Sequence, residues 1–362
     1  MKQTHIIIAF ILLAFAGCED KFDTGLLPPN TNAVSAGDTT YIQKNTWTGF
    51  NKPRSIMYGL DQLIYVTDTY NDRIVMLNQA GQVLSVSNTI RRPIAIAQDL
   101  KLDLIIGAET IEPTTNDTIG ILLRLKLADA AHNLKTAQID TIWKEPARPK
   151  RRFVGIAVIL NNEYLVARDG PDNSSIVDPD ARVMRFRYRP NAVTKKDSFI
   201  TPLGELQAGA GTSITHLNHP TGIASFPNSG DFVVTQNSDG VQYSAIWMAF
   251  TKNADFEGWL PKYDPTNPDQ RSVEFIKPNR YKNAAGVGID RVRRDIFVVD
   301  AALDSVSKFN NRGRFKVESF GKNTPGMSLN HPGGVAVAEN TLFVCDTDNS
   351  RIILYRLSTD TQ

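Results

Sequence analysis

Residues 330–357, NHPGGVAVAENTLFVCDTDNSRIILYRL, constrain the fold more than any other stretch. Gly333 and Gly334 follow Pro332 into an alternating apolar strand that ends at Ala338. Glu339 and Asn340 make a polar turn, and 341–345 return as a second strand, which is the pattern of a β-hairpin. Asp346-Thr347-Asp348-Asn349-Ser350-Arg351 then forms a polar turn, where Asx side chains bond their own backbone, before a third strand over 352–357. One such unit cannot bury both faces of its sheet, so the stretch requires copies of itself.

The copies are present. Residues 50–77 repeat the plan with an entry at Pro53, a strand over 63–67, the turn Asp68-Thr69-Tyr70-Asn71-Asp72-Arg73 and a strand over 74–77, so the spacing Asp-x-x-Asn-x-Arg recurs unchanged. Weaker copies enter at 93, 153, 220 and 284, and with 53 and 332 these entries lie 40 to 67 residues apart. Such spacing fits four-stranded propeller blades with variable loops.

On these residues the chain resembles the NHL-repeat family of six-bladed β-propellers over residues 39–362. The expected fold is all-β, with six blades of four antiparallel strands. The sixth unit has only three strands, and an unpaired edge invites mispairing. Residues 39–44 align with the fourth-strand positions at 82–87 and 314–319, so an N-terminal strand is expected to close the last blade. The resemblance also implies that Asp68 with Arg73, and Asp346 with Arg351, brace their turns.

Ahead of the propeller, Lys2 precedes an apolar run over 6–15 that is too short to span a bilayer as a helix. Ala16 and Gly17 before Cys18 resemble the lipobox of bacterial lipoproteins. Residues 1–17 therefore read as a signal peptide, Cys18 as the lipidated N-terminus, and 18–38 as a Gly-, Pro- and Asn-rich tether. Acyl chains would moor the domain without a spanning segment. Glu19-Asp20 resemble surface-export signals of some lipoproteins and inner-membrane retention signals of others, which leaves the leaflet open. The expected location is the cell envelope, at the outer membrane and toward the surface.

With Cys18 assigned to lipid, Cys345 stands alone and no intramolecular disulfide forms. The formal charge of +2, one less once Lys2 is removed, gives no bulk argument for nucleic acid, and the leader argues against an RNA-binding role.

In this architecture the loops entering the inner strands and those leaving the second strands share one face around the central channel, the default ligand site. Three of the latter are long, at 109–120, 169–182 and 236–245, and a segment at 253–282 with Trp259, Tyr263 and Tyr281 is expected to add to one wall of the mouth. Cations gather in the entry loops: Lys52, Arg54, Arg91, Arg92, Arg148, Lys150, Arg151, Arg152, Arg280 and Lys282, joined by Arg168 at the end of a second strand. Guanidinium groups bind carboxylate, sulfate or phosphate through paired bonds. The residues ending the second strands read as Asp68, Glu109, Arg168, Gln236, Asp300 and Asp346. Glu109 and Asp300 lack the bracing arginine and are the candidates for a divalent cation such as calcium.

Some related propellers, the peptide-amidating lyases among them, hold a metal with imidazoles on inner strands. Here the position after the entry residue is Arg54, Ile94, Val154, Thr221, Ala285 or Gly333, and His219 and His331 precede the proline as loop histidines. The leading expectation is a monomeric, lipid-anchored propeller that captures an anionic glycan or peptide, alone or within an outer-membrane protein complex. The alternative is a metal-dependent lactonase or lyase of the gluconolactonase type using Glu109, Asp300 and Asn237.

Overall fold

Six antiparallel sheets of four strands each stand radially around a channel in the computed structural model, which describes residues 39–188, 197–200, 206, 216–237, 239–270 and 272–360. The leader, Cys18 and the tether lie outside the described residues. From the channel outward, blade one uses Ile56–Tyr58, Ile64–Asp68, Arg73–Leu77 and Val83–Val86. Blade two uses Ala95–Gln98, Leu104–Ile111, Thr118–Lys126 and Gln138–Lys144. Blade three uses Arg152–Val158, Glu163–Asp169, Arg182–Arg187 and Ser198–Ile200, and blade four Pro220–Ser225, Phe232–Gln236, Ala245–Lys252 and Glu257–Pro261. Blade five uses Ala284–Ile289, Ile296–Asp300, Ser305–Phe309 and Phe320–Gly321.

Blade six takes three strands from the C-terminal end, Gly334–Ala338, Thr341–Asp346 and Arg351–Leu357, and its outer strand, Tyr41–Trp47, from the N-terminal side. Tyr41 pairs with Leu357 and Trp47 with Ile352, with a bulge between Gln43 and Asn45. The closing strand runs three residues further than the sequence pattern indicated because both aromatic ends are anchored. Tyr41 packs on Phe297 and Phe320 between blades five and six, and Trp47 packs on Phe343 between blades six and one.

The second strands are buried on both faces because successive residues face opposite neighbours. Ile64 and Val66 join the core shared with blade six, while Tyr65 joins the one shared with blade two. Each of the other four blade junctions holds its own cluster built the same way. Two sequence assignments change here. Residues 314–319 do not form the outer strand of blade five, because Asn310 Oδ1 accepts the Arg312 and Arg314 N–H groups and coils the chain into a turn. Trp259 does not line the mouth: it lies in the outer strand of blade four, where its indole donates to Gly230 O and its ring meets Phe232. Tyr281 is likewise buried in the core between blades four and five, beside Phe275 and Ile276.

Where blades converge, the inner strands carry Ser55, Ala95, Gly155, Gly222, Gly286 and Gly334 at one equivalent level. A Cβ at Gly286 would stand 2.4 Å from Gly333 O, one at Gly155 2.8 Å from Ile223 N, and one at Gly334 2.7 Å from Arg54 O. Backbone of the next blade occupies the space a side chain would need, so these glycines serve close approach. Gly286→Ala is expected to cost about 1–3 kcal/mol, the range for overpacking, read as a lowered urea midpoint; an unchanged midpoint would show that the ring can dilate.

Candidate functional site

The entry end of the channel is built of two rings. The outer ring is the residue just before each entry position: Lys52, Arg92, Arg152, His219, Asn283 and His331. Four of these adopt left-handed backbone, with φ of 48° at Lys52, 45° at Arg92, 49° at His219 and 46° at His331. That conformation is uncommon outside glycine, and its repetition sets these side chains at equivalent places around the mouth.

Most of the ring reaches the second-to-third-strand corner of the preceding blade. Arg92 stacks 3.8 Å from the centre of the Tyr70 ring. Arg152 Nε donates to Glu109 at 2.7 Å, His219 Nδ1 lies 3.1 Å from Asp169, and Lys52 Nζ lies 3.1 Å from Asp348. Asn283 makes a backbone bridge to Asn237. His331 donates its backbone N–H to Asp304 and places its ring 3.3 Å from Asp348. The ring is thus a chain of inter-blade staples, and both loop histidines have carboxylate partners.

The residues at the next level in are the latches. Register places Asp68, Ala108, Arg168, Gln236, Asp300 and Asp346 at one equivalent position, so Glu109 stands one residue beyond it. Blade two continues its strands to Ile111 and from Thr118, and its expected loop is a hairpin extension that turns Glu109 toward Arg152. Asp68 accepts from Asn51 N, Asn71 Nδ2 and Arg73 Nε, and Asp346 repeats the arrangement with Asn330, Asn349 and Arg351. Asp300 accepts four backbone N–H groups, from Lys282, Asn283, Ala302 and Leu303. Glu109 and Asp300 serve separate loops in blades two and five, and no group of three or more His, Cys, Asp or Glu side chains converges on a metal position among the described residues.

The expected cations divide by partner. Arg151 and Arg168 are 3 % and 1 % exposed. Arg151 pairs with Asp180 at 2.6 Å and Asp178 at 2.9 Å, Arg168 pairs with Asp178 at 2.6 Å and Glu145 at 2.8 Å, and together they pin the 169–182 insertion to its own blade. Burial works against the Asp178 carboxylate, yet Arg168 and Arg151 hold its pKa down to about 2. Arg280 leaves the mouth altogether, lying against Phe309 and Phe315 and donating to Glu274 O. These three, with Arg152, are not available as a cationic rim: internal carboxylates or core aromatics take them up. Arg91 and Lys282 are exposed at the face.

The inner ring is Arg54, Ile94, Val154, Thr221, Ala285 and Gly333, all lining the channel. Arg54 alone in it is charged, and its guanidinium has no hydrogen-bonded or ion-paired partner among the described residues. Water reaches this side chain through the open channel, but protein surrounds it, and that desolvation lowers its pKa against the opposing pull of Asp169. Asp169 itself is pushed above the ordinary carboxylate range by burial, with His219 and the Gly170 N–H acting the other way. Arg54, Asp169 and His219 come from blades one, three and four, so the mouth gathers them from across the ring. Below lies an apolar waist of Ile56, Ile96, Ile156, Ile223, Val287 and Val335, and the whole cavity measures about 520 Å³.

Sequence reasoning named Arg54 among many cations, read Asp169 as part of an oxygen-rich loop with Asp172, Asp178 and Asp180, and gave Tyr70 no role at the mouth. The signal for Arg54 was its position: its five equivalents are apolar, small or hydroxylated.

Because folding raises the Asp169 pKa, its contribution to stability is fully present below the unfolded value of about 4 and is lost as pH rises through the folded value. The unfolding free energy of Asp169→Asn relative to the unaltered protein is therefore expected to move in the variant's favour between pH 3 and pH 6 in denaturant titrations. Movement the other way would mean that the His219 and Arg54 charges outweigh burial.

No protein-family model and no curated protein matches the sequence. Solved structures do. An auxiliary nutrient binding protein from Bacteroides thetaiotaomicron superposes with a TM-score of 0.56 at 13 % identity, covering 85 % of this chain and 70 % of that one. A gluconolactonase from Xanthomonas campestris gives 0.55 at 12 % identity over 91 % and 94 % of the two chains, and a glucose dehydrogenase gives 0.54 at 12 % over 88 % and 99 %. At these identities the likeness is one of fold, and the chain takes its place among six-bladed β-propellers.

Proposed function

We propose that the protein is an envelope-bound binding propeller that captures an anionic ligand, a uronate-bearing glycan or an acidic peptide, at the entry mouth of its channel. The observation that carries this reading is Arg54, a guanidinium held in a walled opening without a carboxylate partner. A guanidinium without a partner keeps its N–H groups free to form two parallel charge-assisted bonds to a bound anion. Arg91, Arg92 and Lys282 on the same face would draw anions toward it. Tyr70, held flat by Arg92, offers a ring face for a sugar or side chain. Nutrient binding by a protein of like fold is consistent with capture as the task.

Tethering through Cys18 would keep such a binder at the membrane, where a captured glycan or peptide is handed to a partner complex. Cys18→Ala is expected to shift the protein from the membrane pellet to the soluble fraction; retention in the pellet would remove the anchor from the account.

The ligand reading is checked by titrating oligogalacturonate against the unaltered protein and Arg54→Gln. Loss of charged hydrogen bonds, at about 1.5–3 kcal/mol, corresponds to a weakening of roughly ten- to a hundredfold, with the remaining affinity falling as salt is raised. Equal affinity of the two proteins would take the site away from Arg54.

A further inference from the structure

The far end of the channel carries a third ring, formed by the tips of the first hairpin of each blade. Its members, at equivalent positions four residues beyond the waist, are Leu60, Leu100, Leu160, Pro227, Arg291 and Glu339. Three consecutive blades therefore place leucine at the same spot, and these leucines line the channel while remaining 45 %, 56 % and 42 % exposed. Isolated exposed leucines are ordinary, but three at one radius around one opening form an arc.

Blade five brings a cation to one end of that arc. Arg291 extends from blade five past blade six to blade one, where Nη1 donates to Gly59 O at 3.0 Å and the guanidinium carbon stands 6.0 Å from the Tyr58 ring centre. Its remaining N–H groups have no partner among the described residues. Asp61, the carboxylate whose field it feels, is engaged by the Tyr65 hydroxyl at 2.5 Å, Gln98 Nε2 at 2.8 Å and His132 at 3.4 Å. Glu339, in left-handed backbone with φ 54°, is not among the residues lining the channel, and its charge acts on the Tyr58 hydroxyl. Desolvation by the surrounding wall lowers the Arg291 pKa, as it does at Arg54.

We propose that this lower mouth is a second binding site, selective for a small amphipathic carboxylate whose alkyl or aryl chain lies on the leucine arc and in the apolar waist while its head pairs with Arg291. Of the residues lining the cavity Arg291 is the cation at this end, and a cation beside apolar residues suits one anionic group on an apolar body. The lower mouth opens into the shared channel, whose whole volume of about 520 Å³ falls within the range of about 300–1,000 Å³ usual for small-molecule sites. The site shares no side chain with the entry mouth and does not depend on the reading of that mouth.

Calorimetric titration with decanoate, decanol and acetate tests it. The protein is expected to bind decanoate more tightly than decanol, and acetate not measurably. Arg291→Gln should weaken decanoate at least tenfold with little change for decanol. Leu100→Asp, at an exposed position that folding tolerates, should weaken both decanoate and decanol. Arg54→Gln should leave decanoate binding unchanged, which separates failure here from failure at the entry mouth. Decanoate affinity that survives Arg291→Gln, or that falls in Arg54→Gln instead, would overturn the proposal.

Discussion

The architecture depends on the close approach of inner-strand backbones around the channel. Six sheets can meet at one axis only if the residues at the line of contact have almost no side chain, and Ser55, Ala95, Gly155, Gly222, Gly286 and Gly334 meet that condition. Once the inner strands are seated this way, the second strands fall between neighbouring sheets and both their faces become core. Packing of this kind stabilises through buried apolar area, and a ring with no open blade depends on the N-terminal strand whose Tyr41 and Trp47 reach into two different junctions.

The same geometry sorts the charged residues. Positions at the outer ring face the corner of the preceding blade, so a lysine, arginine or histidine there finds a carboxylate, or for Arg92 a ring face, and becomes a staple. Arginines in blade three are sealed by the insertion they hold, where carboxylates and backbone carbonyls satisfy the guanidiniums. Arg54 and Arg291 differ because each points into a channel lined mainly by apolar and small residues. Neither guanidinium has a carboxylate partner among the described residues, and a cation left unpaired in such an opening is where ligand binding is expected to sit.

Much of the fold was legible in the sequence, and the reason is local. The Asp-x-x-Asn-x-Arg turn is read by short-range rules, and the structure closes it with Arg73 on Asp68 and Arg351 on Asp346, both at 2.7 Å. Closure by an N-terminal strand followed from counting strands in the last unit. What failed depended on side-chain direction. A one-residue slip in blade two moved Glu109 off the latch position and onto Arg152, and Trp259 passed for a loop residue because its strand lies at the edge of a blade beyond an irregular turn. The apparent cationic rim shrank because carboxylates 23 to 43 residues away in sequence pair with Arg151, Arg152 and Arg168, and Arg280 turns onto core aromatics. The special place of Arg54 emerges only when the six inner strands are aligned by register.

The central claim is that an anion belongs in the entry mouth beside Arg54. Soaking crystals with selenate and locating the anomalous selenium signal would test it directly, since the probe reports position rather than affinity alone. A peak within hydrogen-bonding distance of the Arg54 guanidinium is the expected result. Peaks confined to Arg91, Lys282 or the outer blade surfaces, with the channel mouth empty, would contradict it.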